Sequence, residues 1–122
     1  MASMSFAEKK RAIEALDAIL SSIGEIGEFI DGKDRQSFLA DRKTSLAVTH
    51  LVMMIGEASK DLLDGIAERR PEIPWKQVRD MRHRIAHEYL SVDFELVWDV
   101  ATADLAPLRA ALIKERDFLT SC

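Results

Sequence analysis

"LVMMIGEASKDLLDGI", residues Leu51 to Ile66, decides the fold. Leu51, Met54, Ile55, Ala58, Leu62 and Ile66 recur every three or four positions, the spacing that lines one face of an α-helix and not one face of a strand. Gly56 inside this run costs up to about 1 kcal/mol relative to alanine, a cost most readily offset where another helix backbone comes close, so it reads as a packing notch. Elsewhere, too, apolar residues keep helical spacing, and no segment alternates with period two between hairpin turns. The expected fold class is all-α, an up-and-down bundle of four to five helices.

Followed upstream, the pattern carries this second helix back to about Ser37, and downstream it runs to Arg69. At about 1.5 Å per residue such a helix approaches roughly 50 Å, longer than a compact domain of this size needs, so a bend or break is expected near Asp41. The first helix opens at Ser5 with Glu8 three residues on, a capping-box pattern. It buries Ile13, Leu16, Leu20, Ile23 and Ile26 or Ile30, and Gly32 stops it, with a turn over Asp31 to Arg35. "RRPEIPW" (Arg69 to Trp75) ends the second helix, because Pro71 cannot continue it, and Pro74 suits the first position of a third. That third helix turns Trp75, Val78, Met81 or Arg82, and Ile85 inward and ends around Glu88 to Leu90. The fourth starts with Asp93 as cap and Val92 stapled against Val97, then runs through Phe94, Trp98, Ala101, Leu105, Leu108 and Leu112. Pro107 falls inside that pattern, which predicts a bend or break near Ala103.

The length of 122 residues fits one domain, 1–122, with a single core. Hydrophobic residues at 48% and charged residues at 31% give the balance of a soluble protein, and no apolar run approaches the roughly 18 residues of a membrane span. The N-terminus lacks the apolar core of a signal peptide and the acid-poor character of a transit peptide, so a cytoplasmic location is expected. The one cysteine, Cys122, excludes an internal disulfide and a thiolate metal cluster.

A net charge of −4 argues against a general nucleic-acid binder, but the charge is unevenly spread. From Arg69 to His87, Arg69, Arg70, Lys76, Arg79, Arg82 and Arg84 face only Glu72 and Asp80, which makes this stretch +4 and the remainder −8. A local positive face on a repelling body suits a confined anionic substrate; a merely solvated charge run is the competing reading. Within it, "VRDMRHRIAHEYL" (Val78 to Leu90) gathers three arginines, two histidines and a tyrosine between Arg79 and Tyr89.

Those residue types suit cleavage of an RNA phosphodiester. A neutral imidazole, His87, would take the proton of the 2′-hydroxyl while a guanidinium, Arg82, holds the phosphate as charge builds on its oxygens. Arg82 and Tyr89 share a helix face, but Arg82 and His87 stand about 140° apart on an ideal helix. Either the helix end distorts at Ala86 to Glu88, or a second copy of the chain completes the cleft across a two-fold axis. The structural alternative has His87 capping the helix and Arg82 paired with Glu57 or Glu88. His83 and His87, four apart, match a metal pair only weakly, because a third ligand would have to be His50 or a carboxylate. No Gly-rich phosphate loop and no Gly-x-Ser-x-Gly elbow is present.

The string "MRHRIAHEYLSVDFELVW" (Met81 to Trp98) resembles the C-terminal block of the HepT-like family, a branch of the HEPN helical domains. Arg82, His87 and Tyr89 fit the family pattern of Arg, four residues, His, one residue, Tyr. "IGEASK" (Ile55 to Lys60) and "IPW" (Ile73 to Trp75) fall where the family has similar strings, so the likeness spans roughly the last two thirds of the chain. The resemblance implies an all-helical, homodimeric HEPN-type bundle and a metal-independent endoribonuclease in a cleft at the dimer interface, the toxin of a type VII-like toxin–antitoxin pair. It implies Arg82 and His87 as catalytic, with no cofactor and no metal. The implied partner is a cognate minimal nucleotidyltransferase antitoxin that uses ATP to place AMP on Tyr89 and silence the nuclease. Lys76, Arg79 and Arg84 are the candidates for holding the RNA backbone. One departure stands out: the residue after the motif arginine is usually Asn in the family and is His83 here, which can still donate a hydrogen bond or act as a second acid–base group. That departure motivates a second reading, a non-catalytic HEPN module that binds a nucleotide or the nucleotidyltransferase. A purely structural dimeric bundle is a third.

Overall fold

The computed structural model describes residues 4–62, 66, 68–73, 76, 78, 80 and 92–121. Every regular element among the described residues is helical. The first helix, α1, spans Phe6–Ile30, and Ser5 caps it as expected: the Glu8 N–H donates to the Ser5 hydroxyl at 3.1 Å, satisfying one of the donors that a helix start leaves open. At the other end Gly32 takes a φ of 77°, a conformation that a residue without Cβ adopts at little cost.

The inward face of α1 is turned relative to the expectation. Leu16, Ile23 and Ile26 are buried as predicted, but Ala12, Ala15 and Ile19 complete the face, while Ile13, Leu20 and Ile30 pack at its edges. Both stripes are apolar, and periodicity alone does not say which of two overlapping stripes lies at the centre.

The break near Asp41 is present. A short helix, α2 (Arg35–Ala40), is capped by Asp34, whose carboxylate accepts from the Ser37 N–H at 2.8 Å while the Ser37 hydroxyl binds back to the Asp34 N–H at 3.0 Å. Asp41 then caps α3 (Arg42–Ser59), accepting from the Thr44 hydroxyl at 2.7 Å, the Lys33 ammonium at 3.0 Å and the Thr44 N–H at 3.2 Å. These donors, the Thr44 hydroxyl first and Lys33 next, hold the Asp41 carboxyl down to about 2 from its ordinary 3.8. One side chain thus ties the turn after α1 to the start of α3.

The core face of α3 corrects the sequence expectation more sharply. Ile55, Leu62 and Ile66 are buried as predicted, but Leu51 and Ala58 are only half-buried and Met54 is exposed. The centre is made by Val48, Val52 and Ile55 together with Ser45, Thr49, Gly56 and Ser59. Three of these look polar in sequence yet are buried without cost in hydrogen bonding. Ser45 donates to the Phe38 carbonyl at 2.6 Å, Thr49 to the Ser45 carbonyl at 2.7 Å, and Ser59 to the Gly56 carbonyl at 2.7 Å. Gly56 sits on this buried face, as a packing notch requires. A 3₁₀ turn, Lys60–Leu62, follows α3, and helical backbone recurs at 66, 68 and 69 and again at 76 and 78.

Asp93 caps α4 (Phe94–Asp99), accepting from the Leu96 N–H at 3.0 Å; Val92 is partly buried against the core and Val97 is fully buried. The predicted break is a widened π turn, Val100–Asp104, leading into α5 (Leu105–Thr120). Pro107 is the third residue of α5, directly after the wide turn, whose looser i→i+5 register interrupts the α ladder that a proline cannot join.

The main packing partner of α1 is α3, and α5 lies against α1 as well; α4 packs on α2 and α3. Phe38, fully buried, meets Trp98 with ring centroids 5.1 Å apart, and Arg35 bonds Asp99 at 2.5 Å, so α2 and α4 are joined by an aromatic contact and a rim ion pair. Arg116 joins Asp17 at 2.5 Å between α5 and α1. Exposed pairs of this kind contribute about 0.2–1 kcal/mol each, less than the roughly 1.5–3 kcal/mol from burying one large apolar side chain, so the core rather than the rim sets the stability. No helix among the described residues is long and apolar enough to cross a membrane.

Candidate functional site

The described residues on either side of the motif pack into the fold. On the approach, the Arg70 N–H donates to the Ile66 carbonyl at 2.8 Å, Pro71 breaks the helical run, and the Ile73 N–H reaches back to the Arg70 carbonyl at 3.3 Å. Ile73 and Val78 are both buried, and the Asp80 N–H donates to the Lys76 carbonyl at 2.9 Å. On the far side, Val92 packs on the core and Asp93 caps α4. Buried Val78 and partly buried Val92 therefore stand on either side of residues 81–91.

Of the predicted site residues, Lys76 is described; it is exposed and helical. Arg79, Arg82, His83, Arg84, His87 and Tyr89 lie outside the described residues, as do Trp75, Met81 and Ile85. The third histidine, His50, is exposed on α3. Glu57, named as a possible partner of Arg82, accepts from Lys60 at 3.1 Å.

Sequence reasoning missed the role of the two arginines that open the basic stretch. Glu115 of α5 is 1% exposed, and both Arg69 and Arg70 reach it. Arg69 Nε donates to its Oε2 at 2.8 Å, with a second Arg69 nitrogen on the same oxygen, and Arg70 Nε stands 3.5 Å from Oε1. The Arg69 guanidinium also lies over the Phe118 ring, 4.8 Å from its centroid. A buried carboxylate needs such cations, because removing a charge from water is costly unless it is paired. These arginines thus fasten the end of the second helical segment to α5. Two of the six basic residues counted between Arg69 and His87 are thereby accounted for, which leaves Lys76, Arg79, Arg82 and Arg84 as the candidates for holding an anion. A signal for Glu115 existed in the sequence, since it lies on the row Leu105, Leu108, Leu112 and Leu119 where an acid is out of place.

A cleft of about 60 Å³ lies beside this cluster, lined in part by Glu8, Arg11, Leu62, Arg69 and Glu115. It has room for a few water molecules and not for a nucleotide.

A family model described as Ribonuclease HepT-like matches residues 19–115. A protein of Thermococcus cleftensis named "Probable ribonuclease HepT" is 33% identical over 108 residues, 88% of this chain and 98% of that protein. A Methanocaldococcus jannaschii protein named "Putative RNase" is 33% identical over 92 residues, 75% of this chain and 76% of its own length. A Caldanaerobacter subterraneus protein, also named a "Putative RNase", is 28% identical over 93 residues, covering 76% of this chain and 83% of that protein. No solved structure matches the chain.

Proposed function

The chain belongs to the HepT-like ribonuclease family, whose fold is a HEPN-type helical bundle, and we propose that its residues 1–122 act as a single-domain, homodimeric endoribonuclease. The observation that carries this reading is the family match over 19–115, which contains the motif Arg82, His87 and Tyr89. The bracketing of that motif by buried Val78 and core-packed Val92 supports it, because a reactive segment works best on a rigid frame.

In this reading neutral His87 takes the proton of an RNA 2′-hydroxyl. The freed oxygen attacks the adjacent phosphorus, the bond to the 5′-oxygen breaks, and that oxygen leaves with a proton. Arg82 holds the phosphate oxygens as their charge grows, a role for which a planar guanidinium fits better than an ammonium. His83 stands beside Arg82 in sequence and is suited to give the leaving oxygen its proton. Lys76, Arg79 and Arg84 hold the flanking RNA backbone. The chemistry needs no metal, because base, clamp and acid are all side chains.

The cytoplasmic partner is a minimal nucleotidyltransferase antitoxin. The Tyr89 phenol oxygen attacks the α-phosphorus of ATP, pyrophosphate leaves, and the phenol proton passes to solvent or base. The AMP so attached puts bulk and negative phosphate beside Arg82, in the place of the RNA backbone.

Expression without the antitoxin should slow growth, and Arg82→Ala or His87→Ala should abolish both that effect and cleavage of RNA by purified protein, a loss of at least about a hundredfold for a general base. Addition of EDTA should leave the rate unchanged. Unaltered cleavage in both variants would defeat the reading. The His83 departure favours one alternative, a non-catalytic module that holds the nucleotidyltransferase. Intact cellular RNA alongside a stoichiometric complex with that enzyme would select it.

A further inference from the structure

The outward side of α3 carries a stripe of exposed and half-buried residues that is in part apolar, among the described residues. Leu46 is 44% exposed and Met54 48%, with His50 exposed between them and Ala47 and Met53 half-buried beside them. Lys43 and Glu57, both exposed, stand toward the two ends. At about 100° per residue, all seven positions fall within about 60° of the direction of His50. Their chemistry is arranged symmetrically about that residue. Small or apolar side chains stand three and four positions to either side, a cation stands seven before and an anion seven after.

A face with this order complements itself when two copies run antiparallel, the isologous arrangement of a two-fold contact. We propose that α3 is the surface through which two copies of the chain associate, antiparallel about a two-fold axis at His50. The inference rests on the dimeric reading above and adds where the second copy sits. In this register Lys43 faces Glu57 of the partner subunit. Leu46 packs on the partner's Met53, and Ala47 on the partner's Met54. Methionine suits such a seam, since its unbranched side chain fills irregular gaps. Each contact is made twice.

Charge complementarity selects a second copy over an unrelated partner, because the acid and the base needed at opposite ends of the occupant are already present at matching distances on this chain. Lys43 and Glu57 of one chain lie roughly 21 Å apart along the helix, about two Debye lengths at 0.1 M salt, so they do not stabilise each other within a chain. The Lys60 contact to Glu57 leaves the carboxylate side chain 52% exposed and within reach of a second copy.

Sedimentation velocity over a concentration series, with circular dichroism on every variant, tests this. The wild type should be a dimer. Lys43→Glu should raise the dissociation constant about tenfold, because it turns two attractive pairs into repulsive ones, and Glu57→Lys should do the same. The double variant K43E/E57K should return to within about threefold of wild type, a rescue that separate structural roles for the two residues do not produce. Leu46→Glu should weaken the dimer by about a hundredfold or more with helicity unchanged. A wild-type dimer unmoved by Lys43→Glu and Leu46→Glu overturns the inference and leaves the dimeric reading intact. So does a double variant as weak as the single ones with full helicity. A wild type that stays monomeric at all concentrations overturns both.

Discussion

At the scale of the residue, the most consequential side chain among those described is Glu115. It is buried on an otherwise apolar row of α5, and its two cations come from a point 45 and 46 residues earlier in the chain. Removing one member of a buried ion pair leaves the others without compensation and commonly costs about 3–5 kcal/mol. Here the side chains of Arg69 and Arg70 keep 28% and 22% exposure, so water relieves part of that cost. Glu115→Ala should therefore destabilise by about 2–3 kcal/mol, a fall in Tm of roughly 10 °C for a chain of this size, read by thermal circular dichroism. A shift under about 2 °C would show that the cluster is dispensable. The same cluster explains what the sequence concealed. Arg69 and Arg70 open the basic stretch and count toward its charge, but nothing in their local spacing reveals that a distant acid has claimed them.

At the scale of the element, Asp41 decides where the second helical segment breaks. Its carboxylate must be ionised to accept from the Thr44 hydroxyl, Lys33 and the Thr44 N–H, and its folded-state value of about 2 lies below the ordinary 3.8. A group whose pKa is lowered by folding adds stability that is present above the unfolded value and lost as pH falls through the folded one. Wild type should therefore melt above Asp41→Asn at pH 5, and the gap should narrow between pH 4 and pH 2. Melts of both proteins across that range check this, and a gap that stays constant down to pH 2 would count against it. The break was legible because the expected helix was too long for the domain, and both caps, Ser5 and Asp93, were legible because a cap depends on neighbours in sequence. Faces were harder to read. Ser45, Thr49 and Ser59 look solvent-facing until their hydroxyls are seen bonded to nearby carbonyls, and Met54 looks like core until its helix is rotated accordingly. Which side of a helix turns inward is set by partners far along the chain. The motif at residues 82, 87 and 89 was read from the sequence alone and lies outside the described residues, which add the apolar contacts of Val78 and Val92 on either side of it.

At the scale of the whole molecule, charge is partitioned by the fold rather than by sequence position. The chain outside Arg69 to His87 carries −8 and repels a polyanion, so on the proposed function RNA is drawn to cations that the fold leaves exposed. Lys76 is exposed, whereas Arg69 is held by Glu115 and covers Phe118. The two should thus differ in the salt dependence of RNA binding. On single-stranded RNA each lost phosphate contact lowers the slope of log affinity against log salt by about 0.7. Lys76→Ala should lower the slope by that amount, and Arg69→Gln should leave it unchanged while lowering Tm. Fluorescence anisotropy with a labelled single-stranded oligoribonucleotide between 50 and 200 mM KCl measures both, in a His87→Ala background so that the RNA stays intact. If Arg69→Gln flattens the slope as much as Lys76→Ala does, Arg69 contacts RNA, and its pairing with Glu115 is not what determines where the positive face lies.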